Sequence, residues 1–187
     1  MGTPPPSRAS VAHSTATLAA QLAEAHFRDL MSAFPTGVTV VTATDTDGRP
    51  HGMTCTSVTS VSLTPPMLLV CLTPGQTLAA ALATGRFAVN FLHSRGRAAA
   101  EIFSTPGVPR FDRVKWAPLG AGRPPRLVDH AFAVASCTVR NATTAGDHQV
   151  VLGDVDIVID HQPDRPLMYG FRQFADWSFD ERSGIRR

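Results

Sequence analysis

The sequence lacks the short patterns by which most cofactor and metal sites are recognised. It contains no GxGxxG, GxxxxGK[ST], HExxH or GxSxG pattern. A Rossmann-type nicotinamide enzyme, a P-loop enzyme, a zincin and an α/β-hydrolase are therefore all disfavoured. The seven histidines show no metal-ligand spacing either, and we predict no metal site.

Cysteine is scarce and unpaired. The three cysteines, Cys55, Cys71 and Cys137, form no CxxC pair, which argues against a disulfide framework and fits a reducing compartment. No apolar run reaches the roughly 18 residues that a membrane span needs. The segment Met1–Ser10 has three prolines and no signal-peptide stretch. We therefore expect a cytoplasmic protein with no membrane as partner.

Lysine is almost absent. Of the 17 basic residues sixteen are arginine and only Lys115 is lysine, and against 15 acidic residues the formal net charge is +2. Because the basic residues are scattered and not clustered, we do not expect nucleic acid as a partner. A few arginines could still meet a phosphate-bearing cofactor, since the guanidinium offers a forked set of donors.

Short β-branched and apolar runs dominate the rest of the chain. The 187 residues, 43% of them hydrophobic, suit one domain with a single core, which we place at residues 15–180 between tails at 1–14 and 181–187. Because strands do not alternate with long helices, we predict a mainly β fold (α+β), an antiparallel, closed or nearly closed barrel with peripheral helices. Helices are predicted at Thr15–Ala33, Gln76–Ala83 and Ser94–Phe103. Strands are predicted at Val38–Thr44, Met67–Leu72, Phe87–Leu92, Ala131–Arg140, Val150–Ile159 and Pro166–Phe174, with a long loop at Thr105–Pro125 and a turn region at Asn141–His148.

Two polar segments lie beside these runs. Thr54, Thr56 and Ser57 crowd one segment, where hydroxyls and backbone N–H groups could bind a polar heterocycle or a phosphate. Threonine chosen only for its β-propensity explains the same pattern equally well. Thr73 or Thr77 could cap the helix that follows, whose N-terminus would favour an anion, or the cap could be an ordinary one.

Taken in order, these segments resemble the flavin reductase-like, FMN-binding split-barrel family, above all the small reductase components of two-component flavin monooxygenases. The resemblance covers about Phe27 to Phe174. Its motifs are Phe34–Thr42, Gly52–Ser57, Ser60–Pro66, Leu69–Leu72, Phe87–Leu92, Arg110-Phe111-Asp112, Gly146-Asp147-His148 and Pro166–Tyr169, followed by Arg172 and Phe174.

The resemblance implies an antiparallel split barrel, usually a homodimer with the flavin near the subunit interface. It also implies a reaction in which NADH or NADPH reduces FMN or FAD by hydride transfer, and the reduced flavin leaves for a separate monooxygenase. The flavin carries the redox chemistry itself, so no catalytic side chain is expected. Two alternatives are a flavin-binding protein without turnover, such as a sensor or carrier, and an oxidase acting on its own small substrate.

Residue roles follow from the same resemblance. Thr54, Cys55, Thr56 and Ser57 match the segment along the isoalloxazine edge. Cys71, Leu72, Thr73, Gln76 and Thr77 match the phosphate and ribityl side, and Phe111 matches an aromatic of the long loop that approaches the flavin. His148, Tyr169 and Arg172 match positions near the nicotinamide nucleotide. Because Pro74-Gly75 stands where relatives often carry a Lys or Ser, the choice between FMN and FAD stays open.

Overall fold

The computed structural model describes residues 8–160 and 164–177. Its helices are α1 (Arg8–Ala33), α2 (Gln76–Thr84) and α3 (Arg97–Ser104). Its strands are β1 (Thr36–Gly37), β2 (Thr39–Thr44), β3 (Pro50–Cys55), β4 (Val58–Leu63), β5 (Pro66–Leu72), β6 (Arg86–Leu92), β7 (Trp116–Pro118), β8 (Pro125–Leu127), β9 (Ala131–Ala145), β10 (His148–Asp160), β11 (Leu167–Gly170) and β12 (Gln173–Asp176).

Helix α1 begins at Arg8, seven residues before the predicted start at Thr15. The helix therefore takes in Arg8–Ser14, which the sequence analysis assigned to the N-terminal tail. The remainder of that tail, residues 1–7, and the predicted C-terminal tail, residues 181–187, lie outside the described residues. No helix within the described ranges is both long and apolar enough to cross a membrane.

Seven antiparallel strands form the main sheet, in the order β3-β2-β6-β9-β10-β5-β4. The mainly β, antiparallel fold with peripheral helices is confirmed, but the sheet does not close, because its edge strands β3 and β4 are not paired in the described chain. The gap between β3 and β5 is narrow at one point, where the Sγ of Cys55, at the end of β3, lies 3.7 Å from the Cys71 carbonyl oxygen of β5.

Two apolar clusters fill the space on either side of β2. One packs β2, β5, β6, β9 and β10 against α2, with Val41, Phe87 and Val151 fully buried. The other packs α3 against β2 and β8, with Phe103 and Leu127 at its centre. Five of the six residues of strand β2 are buried, because both of its faces meet a core.

The β9–β10 hairpin is longer than predicted. Asn141–Ala145 was expected to belong to a turn region, but it continues β9, with Thr143 opposite Val150. Paired β-branched residues hold this extension, and the turn itself is confined to Gly146-Asp147, where Gly146 has a φ of 62°.

Two other predicted segments are subdivided. Pro166–Phe174 was expected to be one strand, but it contains β11 and the start of β12, joined by a turn at Phe171 and Arg172 with φ values of 50° and 60°. The predicted loop Thr105–Pro125 contains a short 3-10 helix, Arg110–Arg113, and strand β7, which pairs with β8.

Candidate active site

Two grooves flank the segment Thr54–Ser57. The first, here called the α2 groove, has a volume of about 1050 Å³ and is bounded by Arg49–Thr54, Thr73–Thr77 and Pro106–Asp112, with Phe103 at its base. The second, here called the β4 groove, has a volume of about 1110 Å³ and is bounded by Phe34–Gly37, Thr56–Ser60, Pro66–Leu68 and Ala133–Ala135, with Tyr169 and Arg172 at one end. The chain passes from the first groove to the second at Cys55.

The α2 groove brings together five residues predicted to bind flavin: Thr54, Thr73, Gln76, Thr77 and Phe111. The Thr54 hydroxyl donates a 2.6 Å hydrogen bond to the carbonyl oxygen of Ala100 in α3, which fixes the side chain and leaves its oxygen free to accept. The Phe111 ring packs edge-on against Phe103, with ring centroids 5.1 Å apart. These contacts give the groove a rigid aromatic wall.

The β4 groove brings together four other predicted residues: Thr56, Ser57, Tyr169 and Arg172. Tyr169 pairs with Thr36 across β11 and β1, and its ring packs edge-on against Phe174 at 5.2 Å. The Arg172 guanidinium makes a 2.6 Å ion pair with Asp29 of α1. Both ends of this pair are exposed, so the pair contributes little stability and leaves Arg172 able to exchange partners.

The remaining predicted residues line neither groove. Cys55 and Leu72 are buried in the core, and burial raises the pKa of the Cys55 thiol. Only the main chain of these two residues is available to a ligand. Cys71 is half-buried on β5, where its N–H donates to Ser57 Oγ at 3.2 Å.

His148 opens β10 at the hairpin end, one residue before the Gln149–Leu72 pair. This register places it on the strand beside the end of β5, from which the Thr73 loop leaves. Its Nδ1 lies 2.7 Å from Asp147 Oδ1, and this hydrogen bond holds the pKa of the Asp147 carboxyl below its ordinary value.

Neither Thr73 nor Thr77 caps α2, contrary to that reading of the sequence. The N-cap is Gly75, which has no side chain to give. Thr77 is the second residue of the helix, and it is only 4% exposed. Its hydroxyl makes no hydrogen bond within the described chain, although it faces the α2 groove. A groove-facing hydroxyl without a hydrogen-bond partner and an uncapped helix N-terminus together fit the phosphate of a nucleotide-like ligand.

The segment between β3 and β4 offers donors of a second kind. The main-chain N–H groups of Thr56 and Ser57 make no hydrogen bond to the described backbone. Ser57 is held in place through its side chain, since its Oγ donates to the Cys71 carbonyl oxygen at 3.1 Å. Two fixed amides beside hydroxyls and the apolar surface of Val58 and Met67 suit the polar edge and flat face of a heterocyclic ring.

The sequence analysis assigned no role to three contributors to the α2 groove, although Gly52 and Arg110 belong to its motifs. Gly52 allows the close approach of two rings, because a Cβ there would lie 2.7 Å from Phe103 Cε1 and 3.3 Å from Phe111 Cζ. His51 Nε2 lies 2.8 Å from Asp45 Oδ2, and this hydrogen bond is the first cause of the lowered pKa of Asp45. Arg110 Nη1 donates to the Gly52 carbonyl oxygen at 2.7 Å. The motif Arg110-Phe111-Asp112 contains Arg110, but nothing in the sequence pattern indicates its contact with Gly52.

The chemistry that these groups can support is binding and polarisation. Within the described ranges, no group of three or more His, Cys, Asp or Glu could hold a metal ion. Most of the polar groups that line the two grooves are hydroxyls, amides and arginines, with His51 and Asp112 added in the α2 groove. Such a site requires a ligand that brings its own reactivity.

Residues 31–178 match the flavin reductase like domain family. A flavin reductase (NADPH) from Lentzea aerocolonigenes is 52% identical over 159 residues, which cover 85% of this chain and 93% of that protein. The reductase subunit of a flavin-dependent monooxygenase from Mycobacterium tuberculosis is 33% identical, with 81% of each chain covered.

Among solved structures, the NADH:FAD oxidoreductase of Streptomyces globisporus C-1027, in complex with NAD and FAD fragments, has a TM-score of 0.77 and 31% identity. The match covers 84% of this chain and 94% of that chain. The family match spans more than half of the sequence. The chain therefore belongs to the flavin reductase-like family, within the class of NAD(P)H-dependent flavin reductases.

Proposed function

We propose that this flavin reductase holds the isoalloxazine ring over the Thr54–Ser57 segment and the phosphate in the α2 groove, and that it supplies reduced flavin to a partner monooxygenase. The proposal rests on one observation: Thr54 lines the α2 groove, Thr56 and Ser57 line the β4 groove, and the two grooves differ in chemistry. One groove has the uncapped end of α2 and the unpartnered Thr77 hydroxyl, and the other has the free amides of Thr56 and Ser57.

When bound, the flavin accepts a hydride from NADH or NADPH at its N5 atom. The protein's part is to orient and polarise. The amides of Thr56 and Ser57 donate to the polar edge of the ring, where negative charge develops on reduction. Because Ser57 is tied to Cys71 and Thr54 to Ala100, these donors are fixed before the ligand arrives. Fixed donors need no reorganisation when the charge appears.

We assign His148, Tyr169 and Arg172 as contacts of the nicotinamide nucleotide. Arg172 and Tyr169 lie at one end of the β4 groove, and His148 lies at the hairpin end. The exposed Arg172–Asp29 pair leaves the guanidinium able to exchange Asp29 for a phosphate, with which an arginine can form two parallel hydrogen bonds.

A homodimer is part of the proposal. The rim of the β4 groove exposes large apolar side chains, among them Phe34, Leu63 (84% exposed) and Val158. Such a contiguous apolar rim is unusual on a monomer and typical of an interface. A second copy seated there would cover the ring side of the site. The cytoplasm is the proposed compartment, supported by three cysteines that are all free.

The test is an activity matrix of NADH and NADPH against FMN and FAD, followed at 340 nm. We expect nicotinamide oxidation that requires added free flavin. Anaerobic ultrafiltration after the reaction should then find reduced flavin in the filtrate, because the flavin leaves the protein. Inactivity in all four combinations would overturn the proposal. Tightly bound flavin that NAD(P)H does not bleach would identify a sensor or carrier, and oxygen uptake driven by a small organic substrate would identify an oxidase.

A further inference from the structure

Arg110 carries a positive charge that no described acidic group neutralises. It is half-buried, and its guanidinium bonds are to main-chain carbonyl oxygens: Nη1 to Gly52 at 2.7 Å, and Nε and Nη2 to Thr105 at 3.3 and 3.0 Å. No ion pair to Arg110 occurs within residues 8–160 and 164–177. A partly desolvated cation without an anion is costly unless a ligand supplies one.

The charge of Arg110 faces the α2 groove from the wall formed by β3 and the Pro106–Asp112 loop. Arg49, on the β2–β3 hairpin, lines the same groove, and among the described residues its only ion pair is a 3.4 Å contact to the exposed Asp47. Asp112 is the one acidic residue among the lining residues, so the groove has two arginines against one aspartate. The uncapped end of α2 adds partial positive charge from the other side.

The groove therefore has two anion-attracting walls and a volume of about 1050 Å³, at the upper end of the range for small-molecule sites. A flavin mononucleotide carries its phosphate charge on one phosphorus atom, which the α2 wall alone can hold. A flavin dinucleotide carries one negative charge on each of two phosphorus atoms, and it can meet both walls at once.

We propose that Arg110 and Arg49 form a second phosphate subsite in the α2 groove and that they make flavin adenine dinucleotide the preferred flavin. The inference rests on the proposed function, which places the flavin phosphate at the N-terminus of α2. Pro74-Gly75 stands where relatives often carry a Lys or Ser, and Arg110 and Arg49 would supply the positive charge that this segment lacks.

The test measures dissociation constants for riboflavin, FMN and FAD by fluorescence titration of the full chain. The variants are Arg110→Gln, Arg110→Lys and Arg49→Gln. Arg113→Gln is the matched control, because Arg113 lies in the same 3-10 helix, is exposed and does not line the groove. We expect Arg110→Gln to weaken FAD binding about tenfold and Arg49→Gln about threefold. Riboflavin and FMN affinities should change less than about twofold. Arg110→Lys should recover part of the loss.

Three outcomes would overturn the subsite. Equal losses for all three flavins would show that Arg110 acts only by holding the Thr105 loop against Gly52. Unchanged FAD affinity in every variant would leave no second subsite. A raised KM for NADPH, with NADH and FAD unaffected, would assign the arginines to the nicotinamide nucleotide's phosphate instead. If no flavin binds to the unaltered protein, the proposed function fails; if FMN and FAD bind equally well, only this inference fails.

Discussion

Ser57 and Cys71 are joined by hydrogen bonds in both directions: Ser57 Oγ donates to the Cys71 carbonyl oxygen at 3.1 Å, and the Cys71 N–H donates to Ser57 Oγ at 3.2 Å. One hydroxyl therefore fastens the segment between β3 and β4 to the middle of the split in the sheet. A weaker main-chain bond of 3.4 Å, from the Cys71 N–H to the Ser57 carbonyl oxygen, supports it in positioning the free amides of Thr56 and Ser57.

Ser57→Ala removes both side-chain bonds to Cys71 and the 3.4 Å contact with Cys55 Sγ, and we expect the free energy of unfolding to fall by about 1 kcal/mol. Flavin affinity should fall as well, because the Thr56 and Ser57 amides lose their fixed position. Urea unfolding and fluorescence titration measure the two effects. Ser60→Ala is the control, since Ser60 is exposed on β4 and its hydroxyl makes no hydrogen bond within the described chain. Equal effects of the two variants would contradict the role of Ser57.

Gly52→Ala should lower the free energy of unfolding by about 1–3 kcal/mol, because the new Cβ would lie 2.7 Å from the buried Phe103 ring. Phe111 should also move, which would weaken flavin binding. Gly37→Ala is the control, because a Cβ at Gly37 meets nothing within 4 Å. Thermal unfolding followed by circular dichroism distinguishes the two variants. If the Gly52→Ala protein is as stable as the parent, the Phe103 and Phe111 rings can shift at little cost, which contradicts the rigid aromatic wall.

Thr77→Val should weaken FMN binding by about tenfold or more, the value of one hydrogen bond to a charged group, and leave riboflavin binding unchanged. Stability should not fall, since the Thr77 hydroxyl makes no hydrogen bond within the described chain. Thr84→Val, at the other end of α2, loses a 2.9 Å bond to Ala80 and should show the reverse pattern. Unchanged FMN affinity in Thr77→Val would remove this hydroxyl from the phosphate site.

His148→Ala should raise the KM for the nicotinamide nucleotide by about three- to tenfold while changing the flavin dissociation constant less than about twofold. The reason is its place at the β9–β10 hairpin end, outside both grooves. Steady-state kinetics and titration give the two constants. Thr143→Ala, on the same hairpin, serves as control. Parallel losses of both ligands would refute the separate assignment of His148.

Cys137 predicts a pH dependence of stability. Burial, followed by the charges of Asp156 and Asp154, raises the pKa of its thiol from 9.0 to about 12. The folded protein then keeps a proton that the unfolded chain loses, so the stabilisation is complete below pH 9.0 and is lost as pH rises towards 12. The slope from one such group is at most about 1.4 kcal/mol per pH unit. Urea unfolding at pH 8 and pH 10 should show a smaller decline in Cys137→Ala than in the parent.

The strands of the core were predictable from sequence where an apolar run was bounded by a glycine or another turn residue. Arg86–Leu92 is mostly apolar and is buried on both faces, and Gly85 ends α2 in the left-handed conformation that glycine favours. Asn141–Ala145 was not predictable, because asparagine and threonine are as common in turns as in strands. Pairing with Val150, on a different strand, decided the conformation there.

The candidate site was predictable in its residues and not in its geometry. The hydroxyls of Thr54 and Thr56 lie in different grooves because β3 ends at Cys55, and no local pattern specifies that end. The contact between Arg110 and Gly52 joins residues 58 positions apart. Such a contact depends on how the loop packs on the sheet, which a single sequence does not encode locally.

Thr73–Gln76, at the proposed phosphate site beside the N-terminus of α2, is exposed, and this exposure bears on the turnover rate. A reductase that releases its flavin in every cycle cannot turn over faster than that flavin departs. At an association rate constant of about 10⁶ M⁻¹ s⁻¹, a dissociation constant of about 1 µM already limits departure to about one molecule per second. An open wall that binds phosphate loosely therefore keeps the residence time short, and any engineered gain in flavin affinity would slow delivery to the monooxygenase.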